Sequence, residues 1–95
     1  MTGGLLAPAQ RGALGANRFT LPHYGNEVTI LENPTASELS AFIGRTKYKA
    51  ARALKDTQTG DHYFWDGADP ALHANVAKQL NMAPGKWESW MATVD

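Results

Sequence analysis

Apolar positions change period several times along this chain, and each change predicts an element. From Asn26 to Glu32, Val28 and Ile30 alternate with Glu27, Thr29 and Leu31, the two-residue repeat of a half-buried strand. Asn33-Pro34 or Thr35 then opens a helix that runs to about Ile43. Thr35 and Glu38 have the spacing of a capping box, and Asn33 before Pro34 offers an earlier cap. Leu39, Phe42 and Ile43 form the apolar stripe of that helix, with Gly44 suited to a left-handed residue just past its end. Residues 50–55 are alanine-rich enough for a helix. A tight turn follows them at once, however, so a strand is expected.

That turn is Asp56-Thr57-Gln58-Thr59-Gly60: Asp in first place, permissive polar residues in the middle, and a Gly that reaches positive φ without a Cβ clash. Residues 61–66 carry the aromatic run His62-Tyr63-Phe64-Trp65, which predicts the second arm of a hairpin. Gly67-Ala68 breaks it. Asp69 before Pro70 has the pattern of an N-cap and first helical residue, and Leu72, His73, Val76, Ala77 and Leu80 recur at helical spacing. Asn81 suits a left-handed cap with Met82 folding back, and Pro84-Gly85 ends the segment. Trp87, Trp90, Met91 and Val94 fall at i, i+3, i+4 and i+7, which predicts a short amphipathic C-terminal helix.

The fold class expected is therefore α+β: a β-α-β-β-α domain over residues 26–95, with helices on one face of a mainly antiparallel sheet and a short C-terminal helix. Residues 1–25 form an N-terminal arm in this reading, because five glycines and the breaks at Pro8 and Pro22 interrupt every period. Leu5, Leu6, Leu14, Phe19, Leu21 and Tyr24 nevertheless make the arm too apolar for a solvated linker. Such a segment is expected to lie on a partner surface.

Composition narrows the classes. Ninety-five residues make one small domain that buries only about 60–65% of its unfolded surface, so its core is thin. Lys+Arg and Asp+Glu each total 9, and the resulting neutrality argues against a dedicated nucleic-acid binder and against an acidic mimic of one. Zero net charge also favours residence in an assembly over free solution. The absence of cysteine excludes disulfides and thiolate metal sites. The first residues lack a basic leader and their apolar run stops at Pro8, and no window suits a membrane span, so a cytoplasmic product is expected.

Arg52-Ala53-Leu54, the turn from Asp56 to Asp61, Tyr63-Phe64-Trp65-Asp66 and the run from Leu72 to Leu80 together resemble a small module of tailed-phage and prophage proteins. The module occurs alone or within large virion-associated proteins. The resemblance covers about residues 33–82, including Asn33-Pro34, and is most specific over Gly60-Asp61 to Trp65-Asp66 followed by His73. Gly67 and Pro70 depart from the small helix-compatible residues usual there. The module has no assigned catalytic activity, so what the resemblance implies is a setting: synthesis in a host cytoplasm, then a place in a virion.

Candidate chemistry is sparse. His62, Asp66 and His73, with Asp61 and Asp69 nearby, are the residue types of a metal site or an acid–base pair. Strand alternation puts His62 and Asp66 on one face, and only the helix could bring His73 to them. The structural reading is preferred: Asp56 and Gly60 build the turn, Asp69 caps the helix, Trp65 fills the core, and His73 ties helix to sheet by hydrogen-bonding Asp66 or a strand carbonyl. No nucleophile elbow or phosphate loop is present. Arg45, Lys47, Lys49, Arg52 and Lys55 around Tyr48 make one basic patch, in pattern a guarded strand edge.

The function expected is a non-enzymatic virion accessory or minor structural protein without cofactor or metal. It would contact other protein subunits, and neither membrane nor nucleic acid, through the arm and through Trp87 and Trp90. A small phage effector that inhibits a host enzyme or defence complex is the alternative, and a hydrolase centred on His62, Asp66 and His73 is a third reading.

Overall fold

The computed structural model describes residues 17–67 and 71–93. Among these residues seven elements follow in order: β1 (Arg18–His23), β2 (Asn26–Glu32), α1 (Ala36–Gly44), β3 (Ala50–Asp56), β4 (His62–Trp65), α2 (Leu72–Gln79) and β5 (Trp87–Thr93). The strands form one antiparallel sheet in the order β1-β2-β4-β3-β5. The α+β class is as expected. The two ends of the chain differ from the sequence reading.

At the N-terminal end, residues 18–23 belong to the sheet and not to an arm. Phe19 and Leu21 alternate with Arg18 and Thr20, pair with Ile30 and Val28 of β2, and are completely buried. They are therefore core residues, and their expected role on a partner surface is corrected. The turn that hides this hairpin from the sequence is Tyr24-Gly25, with φ of 49° and 82°. Both residues are left-handed, as a two-residue hairpin loop of the primed type requires, but Tyr stands where Asn or Asp gives the usual signal. Pro22 fits because it faces Glu27 at a pair without ladder bonds, so the missing N–H lies on the outer edge. Leu5, Leu6 and Leu14 lie outside the described residues.

At the C-terminal end, the expected helix is strand β5, paired along its length with β3 from Asp56↔Trp87 to Ala50↔Thr93. An apolar residue on both faces of a strand mimics helical spacing, which is the source of the misreading. Without β5, β3 would be left with a row of unpaired backbone groups.

The helices lie on opposite faces of the sheet, where the sequence reading put them on one. Strand alternation explains why both faces need cover. Phe19, Leu21, Ile30, Leu54, Tyr63 and Trp65 point to one side and meet Leu72, Val76 and Ala77 of α2. Leu31, Ala51, Ala53 and Phe64 point to the other and meet Ile43 of α1, with Leu39 and Phe42 beside it.

Local signals were largely correct. Thr35 caps α1 and the full capping box forms: Thr35 Oγ1 accepts from Glu38 N–H at 3.1 Å, and Glu38 Oε1 accepts from Thr35 N–H at 2.8 Å. Asn33 does something else. With φ of 48° it turns the chain out of β2, accepts the His62 N–H at 2.7 Å and donates to Asp61 at 2.9 Å, closing the end of the β2–β4 ladder. Gly44 is the last helical residue of α1, not a left-handed cap; Arg45 follows in helical conformation. The β3–β4 turn is as expected: Asp56 Oδ1 accepts from Gln58 and Thr59 N–H, and Gly60 has φ of 82°. Helix α2 begins at Leu72 with Ala71 in the cap position and no side-chain cap bond, and the expected cap Asp69 lies outside the described residues. Asn81 (φ 59°) ends α2, with Met82 N–H reaching Ala77 C=O at 2.9 Å and Met82 packed on the core.

Glu38 supplies a pH test. The Thr35 backbone N–H holds its carboxyl below the ordinary 4.5; desolvation, the next effect in size, opposes this, and the Asn17 and Thr35 side chains and the Arg18 charge add to the lowering. A depressed pKa means that its stabilisation is complete above the unfolded value and is lost as pH falls through the folded one. Glu38→Gln keeps an acceptor for the box but cannot titrate. Melting curves between about pH 6 and pH 3 should therefore fall more steeply for the wild type than for Glu38→Gln. Parallel curves would show that the carboxylate contributes nothing.

Candidate functional site

Strand β4 separates the three residues that could have held a metal. His62 shares the α1 side with Phe64; His73 is buried on the α2 side, its ring 5.1 Å from that of Trp65 at 65°. Asp66 is exposed at the strand end, facing the α1 side. It also lies four residues, roughly 13 Å of strand, from His62. Among the described residues no three His, Asp or Glu side chains cluster as metal ligands. Edge-on packing on Trp65 holds the His73 ring against the sheet.

The basic patch is also divided. Lys49 Nζ donates to Gly44 C=O at 2.8 Å and so closes the C-terminus of α1, while Lys47 lies 5.6 Å from the Tyr48 ring. Register puts Arg52 with Trp65 on the α2 side and Lys55 with His62 on the α1 side. A continuous phosphate-binding surface does not result.

Among the described residues, two open grooves stand out. The larger, about 560 Å³, lies between the β1–β2 tip and α2 and is lined by Pro22, His23, Tyr24, Ala74, Asn75 and Lys78. Asn75 Nδ2 donates to Pro22 C=O at 3.0 Å and lies 2.9 Å from His23 Nδ1, and Tyr24 stands 83% exposed beside the His23 ring. The smaller, about 380 Å³, mixes Arg18 and Arg45 with Glu27 and Asp66.

The surface with the clearest chemistry is β5. Trp90 stacks edge-to-face on His62 at 5.9 Å and on Phe64 at 5.8 Å, yet remains 38% exposed. Met91, on the opposite face of the strand, is 47% exposed, while Trp87 packs against the α2-side core. Backbone parity can be read from one bond: Thr57 N–H donates to Lys86 C=O at 2.9 Å, one step beyond the Asp56↔Trp87 pair. That pair is therefore of the wide type, and the types alternate from it. Glu88, Trp90 and Ala92 bond to β3; Trp87, Ser89, Met91 and Thr93 turn their N–H and C=O outward. Among the described residues no strand lies on that outer edge.

Edges are usually blunted by proline, lysine or a short length. Strand β1 follows the rule with Arg18 and Pro22; β5 has seven residues, neither Lys nor Pro, and Glu88 as its one charge. The sequence singles out Trp87 and Trp90 as contact residues, with Met91 beside them on an expected helix face, but not the edge itself, because alternation is masked when both faces are apolar. No protein-family model, curated protein or solved structure matches this chain.

Proposed function

We propose that this chain is a non-enzymatic protein–protein contact module, a minor or accessory subunit of a phage-like particle, and that the outer edge of β5 is its contact surface. The observation that supports the reading is that edge: a regular strand with outward backbone donors and acceptors, Trp90 and Met91 exposed on its two faces, and neither Lys nor Pro along it. The phage setting is supported by the resemblance of residues 33–82. The experiment is to purify particles from the cells that encode the chain and to quantify it by mass spectrometry, alongside cells carrying Met91→Lys. A charge on this exposed edge position leaves the monomer's core untouched and opposes strand addition. Incorporation at a fixed copy number, reduced at least about tenfold by Met91→Lys, is expected, a loss of about 1.4 kcal/mol in contact energy. Particles without the chain would end the virion reading, and incorporation indifferent to Met91→Lys would end the β5 reading.

A further inference from the structure

The geometry points to a second copy of this chain as the occupant of the β5 edge, an inference that rests on the contact reading above. A two-fold axis through Trp90 sets β5 antiparallel to its own copy, with Trp87 opposite Thr93 of the copy and Ser89 opposite Met91. These four positions are the ones whose N–H and C=O point outward, so this register satisfies every outward group of the strand. Trp90 then faces its counterpart in a wide pair, where side chains stand closest, and the two indoles meet on the α1 side beside His62 and Phe64.

Charge selects the same register. Glu88 is the one charged residue of β5, and in this pairing it lies opposite Ala92. Shifting the axis to Glu88 sets two carboxylates face to face, which is unfavourable. A neutral chain adds no long-range repulsion between copies. The result is one continuous ten-stranded antiparallel sheet, from five strands in each copy, with β1 and its proline at both outer ends.

Sedimentation of the full chain from about 1 μM to about 1 mM tests the inference. The expected result is a concentration-dependent shift from 10.3 kDa to twice that mass. Ser89→Pro should abolish the shift while keeping the far-ultraviolet circular dichroism of a folded domain, because the N–H it removes is an outward one. Trp90→Cys and Glu88→Cys, each in a chain otherwise free of cysteine, then read the register. Across the axis the position-90 Cα atoms lie about 4.5 Å apart, within disulfide reach, whereas those at position 88 lie roughly 13 Å apart. Cross-linking at least about tenfold faster from Trp90→Cys supports the register; equal rates overturn it. A wild type that stays at the single mass, or a dimer unaffected by Ser89→Pro, overturns self-pairing. Either result leaves the β5 contact to be decided by particle incorporation.

Discussion

A chain that begins at Asn26 should lose its cooperative thermal transition. The truncation removes β1, and with it the completely buried Phe19 and Leu21, which cover Ile30 and Tyr63 on the α2 side. Deleting a buried Phe costs about 3–5 kcal/mol and a buried Leu about 2–5, so together roughly 5–10 kcal/mol is lost before the exposed β2 edge is counted. A domain of this size has only about 5–15 kcal/mol in all. Circular dichroism melts of residues 26–95 should therefore be broad and without a baseline for the folded state. Phe19→Ala with Leu21→Ala in the full chain should reproduce the deficit, which assigns it to these side chains. A sharp melt from both proteins would show that residues 18–23 act as an appendage after all.

Trp65→Ala should be the most destabilising single change among the three tryptophans. Trp65 is wholly buried in the middle of the sheet, between Ile30 and Arg52 in register and against the His73 ring of α2. Its loss leaves a cavity that neighbours on three strands and a helix cannot close, at a cost of about 3–5 kcal/mol. For a small domain this lowers the melting temperature by about 15 °C or more. Trp90→Ala loses two edge-to-face contacts at a partly exposed site, together about 1–3 kcal/mol beyond the area they bury. Thermal melts at low protein concentration, where copies do not associate, should rank the two variants in this order. Equal losses would mean that Trp90 is as much a core residue as Trp65.

Most of the middle of the fold is legible in the residues. Asp56 to Gly60, Thr35 with Glu38, and Asn81 with Met82 carry their structure in local chemistry: a side-chain oxygen at the right offset or a residue tolerant of positive φ. The two ends are not legible for opposite reasons. Tyr24-Gly25 makes a primed turn with a residue that seldom advertises one, so the alternation of Phe19 and Leu21 goes unpaired on paper. Residues 87–93 have apolar groups on both strand faces, and such a pattern fits a helix equally well until the open edge of β3 is known. Which face each helix covers depends on alternation carried across β4, a long-range relation. The candidate contact surface was half visible, as tryptophans without an edge.

The sheet is also two pieces joined at a short seam. Within the sheet, the β1–β2 hairpin on one side and the β4-β3-β5 strands on the other pair only where Ile30, Leu31 and Glu32 meet Trp65, Phe64 and Tyr63, and Asn33 closes one end of that seam. Each piece holds itself together by neighbours close in sequence or by a long ladder, whereas the seam relies on three residue pairs and on the side chains above and below. Partial opening should therefore part the molecule along β2 and β4. Amide protons of Leu31 and Asn33, which face β4, would then exchange together ahead of those in the β3–β5 ladder, while Ile30 and Glu32 keep their bonds to β1.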